Sequence, residues 1–233
     1  MKDALKRICG WFTGNTILLL TGFFLATALL AQDDALTAKI NTTRALIIKE
    51  RAASDYRGSI RKSVLDYENS LSTRCKTVDL EFDSASDRIL IPIEMNDKGV
   101  PVSGSWRETV PGTACNEQRM YNVQVDATKK GLHFTPTYPG TAQGNPELQR
   151  DTLRNIELDL IVMSFVKKSC RAEVLDTKLV GPAARFSDNG LLSPWNEAWE
   201  VRACGKLFTV PVKFVPDATG TSISVGASDI QAH

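Results

Sequence analysis

The sequence feature that most constrains the fold is a short stretch that occurs twice. An alignment at an offset of 89, without a gap, places residues 106–115 (WRETVPGTAC) over residues 195–204 (WNEAWEVRAC). Their Trp, Glu, Ala and Cys residues coincide, and with only four tryptophans and five cysteines in the chain, chance is a poor explanation. Residues 123–128 and 212–219 match in outline at an offset of 91. We interpret these matches as an internal duplication.

The duplication also selects a disulfide pairing. Cys115 and Cys204 end the two copies, and Cys75 and Cys170 each follow a helix-like segment. Four cysteines permit three pairings, and the pairs Cys75–Cys115 and Cys170–Cys204 are the economical choice because each closes its own copy. The loops of 40 and 34 residues would then contribute at most about 4 kcal/mol each through chain entropy.

The N-terminus has the pattern of an export signal. Basic residues precede an apolar run at 16–25, and residues 26–28 (ATA) form a cleavage-site pattern, so 1–28 is a candidate signal peptide. The alternative is an uncleaved anchor from Trp11 to Ala31, which is long enough to span a bilayer. Both alternatives place the body beyond the inner membrane, periplasmic or secreted in the first and anchored in the second. Cys9 precedes the apolar run and stays outside the disulfide pairing.

Two helices are predicted downstream, one in each copy. An apolar stripe over 56–71 predicts the first, and residues 33–53 extend it upstream as a helical stretch, with the stripe broken near Gly58. The second begins with Asn145 as N-cap and Pro146 in the first helical position, and it is expected to end near residues 167–168.

Strand-like segments follow each helix. In the first copy they are 77–82, 89–93, 105–110 and 121–126, and in the second they are 172–180, 195–204, 207–215 and 221–225. Pro92 and Pro211 lie inside such segments, so we expect sheet edges or bulges there.

The expected fold class is therefore α+β. Each half is a helix followed by an antiparallel sheet and closed by one disulfide, an order that is analogous to cystatin-like and NTF2-like folds. The first repeat is assigned to residues 33–143, the second to 144–227, and 228–233 to a tail.

Composition excludes several kinds of function. The formal net charge is +1, and nucleic-acid binding needs a clustered positive excess, so no nucleic-acid partner is expected. The chain has two histidines, His133 and the last residue, and its cysteines are too widely spaced for zinc. We therefore expect no metal and no cofactor.

The strongest candidate for a functional site is the Trp-x-Glu pair. Alternate residues of a strand share a face, so Trp195, Glu197 and Trp199 should line up, as should Trp106 and Glu108. Indole faces beside a carboxylate suit a sugar or a cation. The other interpretation is that each Trp fills its half's core while each Glu pairs with an Arg. Recurrence in both halves favours this structural interpretation.

Two further patterns are weaker candidates. Glu108, Glu197 and Asp217 lie near strand ends and are the carboxylates available for glycoside hydrolysis, which needs two of them at a defined separation. The turn-rich residues 138–144 lead into the second helix, where an anion can bind at the helix N-terminus. A connector between the halves is the favoured interpretation of 138–144.

The C-terminal stretch resembles a known group. Residues 194–199 (PWNEAW), 204–206 (CGK) and 216–221 (PDATGT) are similar to uncharacterised exported proteins of Gram-negative bacteria that share a W-x-E-x-W…C-G ending. A Pro-Gly-Thr turn at 139–141 is similar too. The resemblance covers Ser105 to Val225 and implies an envelope location and a disulfide.

These observations predict a non-enzymatic envelope protein that binds a partner protein or a small apolar ligand between helix and sheet. One alternative is a carboxylate-dependent hydrolase of envelope glycans. Another is an anchored accessory subunit of a membrane complex, with membrane contact only through residues 11–31 and with the helical stretch before Tyr56 as a stalk.

Overall fold

The structure is a computed structural model that describes residues 15–73, 75–185 and 192–233, with side chains from residue 34 onward. Within these residues it is an α+β protein with three helices and two five-stranded antiparallel sheets, as expected for the fold class. The helices are α1 (Asn15–Ala52), α2 (Ser54–Ser70) and α3 (Pro146–Val162).

The first helical region breaks at Ala53, where the upstream helical stretch was expected to end, and the helix continues through Gly58. Ala53 has extended backbone angles (φ −78°, ψ 138°), whereas Gly58 lies within α2 on its exposed side. An exposed glycine weakens a helix only modestly. The turn at Ala53 lets Ile47 of α1 and Ile60 of α2 enter the same core, and burial of these side chains outweighs the glycine penalty.

Helix α3 begins as predicted and ends early. The Asn145 side chain accepts a hydrogen bond from the Leu148 N–H at 2.8 Å, which confirms the N-cap. The helix ends at Val162 rather than near 167–168 because Ser164 adopts a positive φ of 60°. The Phe165 N–H then donates to the Leu160 carbonyl at 2.9 Å, and Phe165 packs against the second core.

The first sheet is built around one long central strand. Its strands are β1 (Val78–Leu80), β2 (Ser86–Met95), β3 (Pro101–Ala114), β4 (Glu117–Thr128) and β5 (Gly131–Thr137). Strands β1 and β2 both pair with one edge of β3, and β4 and β5 follow on the other side. The register of β2 shifts between Ile91 and Glu94, which confirms the irregularity expected at Pro92. Strand β5 was not expected from the sequence, and it pairs with β4 throughout its length.

The second sheet is also five-stranded and antiparallel, but its two short edge strands pair with the second strand of the central hairpin rather than with the first. Its strands are β6 (Ala172–Val180), β7 (Trp195–Ala203), β8 (Lys206–Pro216), β9 (Thr221–Val225) and β10 (Gln231–Ala232). Strands β9 and β10 pair with the same edge of β8 on either side of Pro211, so the proline lies at the gap between them. Residues 228–233, expected to be a tail, instead bring β10 to the sheet because Ile230 is buried in the second core.

Both predicted disulfides are present. Cys75–Cys115 closes the first half and Cys170–Cys204 closes the second. In each half the second cysteine stands in the tight turn after the central strand, at φ 50°, and the next residue, Asn116 or Gly205, also has a positive φ. This geometry is that of a type I′ hairpin turn. The disulfides indicate an oxidising, extracytoplasmic compartment.

The connector at residues 138–145 is held between the two halves. The Gly140 N–H donates to the Met120 carbonyl at 2.8 Å, and the Thr141 N–H donates to the Thr177 carbonyl at 2.6 Å. Gly140 has a φ of 99°, and a Cβ there would lie 2.1 Å from the Thr177 carbonyl oxygen. Only glycine fits this position, so the two halves are docked tightly through the connector.

The export signal and the anchor from Trp11 to Ala31 lie outside the residues whose side chains are described. Residues 15–33 continue α1 as helical backbone. Among the residues with described side chains, none of the helices has the length and apolar character needed to cross a membrane.

Candidate functional site

The second half buries a carboxylate between two indole rings. Trp195, Glu197 and Trp199 share one face of β7, and Glu197 is only 1% exposed. Its Oε1 accepts hydrogen bonds from Trp195 Nε1 at 2.8 Å and from the Gln143 N–H at 2.7 Å. Its Oε2 accepts from Trp199 Nε1 at 2.9 Å. The indoles thus present their N–H edges to the carboxylate, and not their faces.

The faces of these two rings are covered by the protein itself. Trp195 stacks on Phe214 with ring centroids 4.7 Å apart and an angle of 10° between the planes. Trp199 meets Tyr138 edge-on at 5.6 Å and is fully buried. The cluster therefore connects β7 to β8 and to the connector, in the manner of a packed core.

The equivalent residues of the first half are also buried but have different partners. Trp106 Nε1 donates to the Tyr56 hydroxyl at 3.0 Å, and that hydroxyl donates to Glu108 Oε1 at 2.7 Å. Arg51 donates to Glu108 Oε2 at 2.8 Å and to Asp87 at 3.0 Å. Each Trp-x-Glu pair is thus brought together as expected, and the two pairs belong to separate cores.

Burial controls the protonation of this first cluster. Desolvation raises the pKa of the Glu108 carboxyl, and the hydrogen bonds from Tyr56 and Arg51 oppose that shift. Burial and the neighbouring Glu108 raise the pKa of Tyr56, so its hydroxyl stays protonated and remains a donor. Both oxygens of Glu108 accept hydrogen bonds from the protein. A ligand role for Trp106, Glu108, Trp195, Glu197 and Trp199 stays a prediction.

The third carboxylate of the hydrolase alternative lies apart from these cores. Asp217 is in the exposed turn before β9, where its Oδ1 accepts from the Thr219 N–H at 2.7 Å and from the Gly220 N–H at 3.0 Å. The Thr219 hydroxyl also donates to it, and these bonds lower the pKa of Asp217. The carboxylate is therefore bound by its own turn.

A further buried cluster was missed in the sequence. Glu68 is fully buried, and its Oε1 accepts from Arg119 at 2.6 Å and from the Tyr121 hydroxyl at 2.8 Å. The signal was present, because Glu68 stands four residues after Val64 on the apolar stripe of α2. A charged residue at a core position requires a partner, but the sequence gives no means of identifying Arg119.

An open site lies between the two halves. It is a cleft of about 740 Å³. One wall is the β3–β4 hairpin of the first half with Glu81, and the other is the outer face of β6, β7 and β8. The lining residues are Glu81, Pro111, Gly112, Glu117, Gln118, Arg119, Met120, Leu175, Asp176, Lys178, Glu200, Arg202 and Leu207.

Charged side chains in this cleft are mostly paired with one another. Lys178 donates to Glu200 at 2.7 Å and lies 3.4 Å from Asp176, and the bond with Glu200 raises the pKa of Lys178. Arg119 also pairs with Glu117 at the cleft. Met120 and Leu207 add apolar surface. The cleft therefore offers both charge signs and apolar contact along one surface.

Within the described ranges, no three His, Cys, Asp or Glu side chains come together in a way that could hold a metal ion. Comparisons with protein-family models, with curated proteins and with solved structures found no match to this chain.

Proposed function

We propose that this chain is a non-enzymatic binding module of the bacterial cell envelope, and that the cleft between its halves holds an extended segment of a partner protein. The observation that carries the proposal is the cleft itself, about 740 Å³ between two docked halves. Its alternating ion pairs and apolar side chains match the mixed character of protein surfaces better than they match a uniformly apolar ligand.

The expected place for a small apolar ligand, between helix and sheet, is filled. Ile60 and Val64 of α2 pack against Trp106, and Ile156 and Leu160 of α3 occupy the second core. All five side chains are at most 1% exposed. This packing favours a binding site on the outside of the sheets.

The proposal that the protein is not an enzyme is supported by the three candidate carboxylates, each of which is hydrogen-bonded within the protein. Glu108 and Glu197 are buried in separate cores and accept hydrogen bonds from the protein, while Asp217 caps a turn. A retaining or inverting glycosidase needs two carboxyl groups facing one substrate. The arrangement of these three residues supports a structural role for each.

We also infer that the two halves arose by duplication. The register supports this, because Trp106 pairs with Val125 just as Trp195 pairs with Phe214, at a constant offset of 89. The cystatin-like or NTF2-like analogy and the resemblance to exported Gram-negative proteins remain part of the proposal.

A second candidate, an anchored accessory subunit, is favoured by the path of α1. One continuous helix runs from Asn15 to Ala52, and residues 34–39 are all exposed. The helix joins the body further on, where the Thr43 hydroxyl accepts from the Ile93 N–H at 2.9 Å and Ile47 is fully buried. A helix that leaves the body in this way suits a stalk that continues into residues 11–31.

Site-specific photocrosslinking in the native envelope tests the cleft. A photoreactive amino acid at Gln118 or Leu207, one on each wall, should give a discrete crosslinked adduct with a partner protein. The same residue at Lys98, in the exposed turn before β3, is the matched control. Equal labelling at all three positions, or no adduct from either wall, would contradict the proposal.

The mass of the protein purified from membranes and from the soluble envelope fraction tests the anchor. Protein of full-length mass that stays in the membranes after alkaline extraction supports the stalk. Soluble protein whose mass corresponds to a chain beginning after Ala28 supports a cleaved signal peptide.

A further inference from the structure

A second cavity, of about 430 Å³, lies between the outer face of the first sheet and the first turn of α3. Its floor takes one residue from each of four neighbouring strands, β2 to β5. Its roof is the start of the helix, and Leu90 adds to the wall. The floor residues are Ile91, Ser105, Gln124 and Thr135, and the roof residues are Asn145, Pro146, Glu147 and Arg150.

Unpaired polar groups are concentrated at this cavity. Within the described residues, four buried side-chain polar atoms have no hydrogen-bond partner. Two of them are here, because Ser105 Oγ and Gln124 Oε1 belong to floor residues. A third, Arg107 Nε, is outside the lining but on the same face of β3, where Arg107 pairs with Gln124. Ser105 is only 4% exposed. Buried polar groups without partners are costly, so their grouping at one cavity indicates a ligand.

The bonding capacity of these atoms defines the ligand. Gln124 Nε2 donates to Asp126 at 3.0 Å, which leaves Oε1 to accept from a donor. The Arg107 terminal nitrogens donate to the carbonyls of Ala142 and Gly144, both at 2.6 Å, so its Nε–H remains to donate. The Ser105 hydroxyl can donate or accept a hydrogen bond, and rotation about its χ1 bond directs it into the cavity.

The charges at the site favour a carboxylate. Arg107, beside the cavity, is buried and hydrogen-bonded to carbonyls; burial together with Arg88 lowers its pKa, and the Glu197 carboxylate opposes that shift. Arg150 lies at the cavity roof, and the N-terminus of α3 adds positive potential. Pro146 has no N–H and the Leu148 N–H is bonded to Asn145, so the helix acts here through its field.

The same floor and roof also carry groups that suit an ammonium group and an apolar side chain. Glu147 and the Gln124 amide oxygen are acceptors for N–H donors. Leu90 and Ile91 supply an apolar surface. We propose that this cavity binds a free α-amino acid with an apolar side chain, through Ser105 and Arg150 at its carboxylate and through Gln124 and Glu147 at its ammonium.

This site is separate from the cleft. Its floor belongs to the first half and its roof to the second, so a bound amino acid bridges the halves and stabilises their docking. The test uses the full-length protein in mild detergent with L-leucine as the probe. Calorimetry should show saturable binding, and the thermal midpoint should rise with ligand concentration.

Two variants separate binding from folding. Ser105→Ala removes a hydroxyl without a partner, so it should weaken L-leucine binding about ten-fold or more while leaving the thermal midpoint of the ligand-free protein unchanged or higher. Thr109→Ala is the matched control on the same face of β3, because the Thr109 hydroxyl donates to Asn122 at 2.7 Å. That variant should lower the midpoint and keep the affinity.

Ligand analogues test the chemical class. 4-Methylpentanoate lacks the ammonium group and isoamylamine lacks the carboxylate, so each should bind about ten-fold more weakly than L-leucine or worse. Equal binding of either analogue would overturn the amino-acid assignment. Absence of L-leucine binding, or Ser105→Ala losing stability with unchanged affinity, would overturn the site and leave a buried water as the partner of these atoms.

Discussion

The two halves bury a glutamate at the same position of their central strands and hold it by different means. Glu108 is reached from the helices, by Tyr56 of α2 and Arg51 of α1. Glu197 is held by the indoles of its own strand and by a backbone N–H of the connector. One strand motif therefore fixes helices to a sheet in the first half and fixes the two halves to each other in the second.

The difference teaches that a repeated sequence motif specifies burial but not partners. In the first half the motif is W-x-E-x-V, ending at Val110, and in the second it is W-x-E-x-W, ending at Trp199. The additional indole of Trp199 supplies the donor that Arg51 supplies in the first half. Because Arg51 lies 57 residues before Glu108, the connection depends on the tertiary fold.

Removal of the disulfides is the largest expected change and should affect the halves equally. We expect Cys75→Ser with Cys115→Ser, and Cys170→Ser with Cys204→Ser, each to lower the free energy of unfolding by up to about 4 kcal/mol and by similar amounts, since the closed loops are similar in length. Urea unfolding followed by tryptophan fluorescence and circular dichroism measures both losses. A loss confined to one double variant would break the equivalence of the halves.

Loss of the arginine partner should distinguish the two halves, because Arg51 contacts Glu108 of the first half. Arg51→Met leaves Glu108 as a buried carboxylate with a weakened set of donors, and we expect a loss of about 3 kcal/mol, the low end for a buried pair because Arg51 and Asp87 are partly exposed. Arg61→Met, on the exposed side of α2, is the control and should change little. Protease sensitivity of α1 should increase only in Arg51→Met. Equal stability of the two variants would show that Arg51 is dispensable.

Substitution of Glu197 should cost somewhat less stability than substitution of Arg51. Glu197→Gln places an amide N–H₂ group against one of its three N–H donors, so we expect a loss of about 2 kcal/mol. Glu200→Gln, on the outer face of the same strand, should stay within about 0.5 kcal/mol of the wild type. Chemical unfolding measures both variants, and crosslinking at the cleft should persist in Glu197→Gln. Wild-type stability combined with loss of a glycan-hydrolysing activity would instead support the hydrolase alternative.

The smallest expected effects are at the helix starts. Helix α3 has Asn145 as a bonded N-cap, whereas α2 begins after Ala53, which has no side-chain cap. Asn145→Ala should lower the free energy of unfolding by about 1 kcal/mol, and Ala53→Ser should raise it by up to about 1 kcal/mol. Thermal unfolding of each variant, compared with the wild type, gives the sign of its change in stability. A change of the same sign for both variants would refute this difference between the helices.

Local signals in the sequence predicted the parts of the fold that depend on nearby residues. The Asn145 cap, the irregularity at Pro92 and the strand that carries Trp195 follow from short-range rules. Both disulfides were also predicted, from the duplication rather than from spacing alone. The repeat supplied the long-range information that four cysteines lack.

The features that the sequence missed depend on tertiary packing. Strand β5 is short and contains Pro136, which weakens its strand signal, yet it pairs with β4 because Leu132 and Phe134 pack on the first core. The segment before β10 joins the sheet because Ile230 finds a buried position. The cleft and the cavity below α3 have walls from both halves, so neither exists until the halves dock.

The disulfide connectivity also determines the order in which the two bonds can form. Each bond joins cysteines that are neighbours in chain order, and the first bond is complete before residue 116. A chain delivered N-terminus first into an oxidising compartment can therefore close Cys75–Cys115 while the segment with Cys170 is still in transit. At that stage the first pair has no competing thiol downstream, so correct pairing requires no reshuffling by an isomerase. A circular permutant with its new termini between residues 75 and 115 would separate the first pair in chain order and remove that protection.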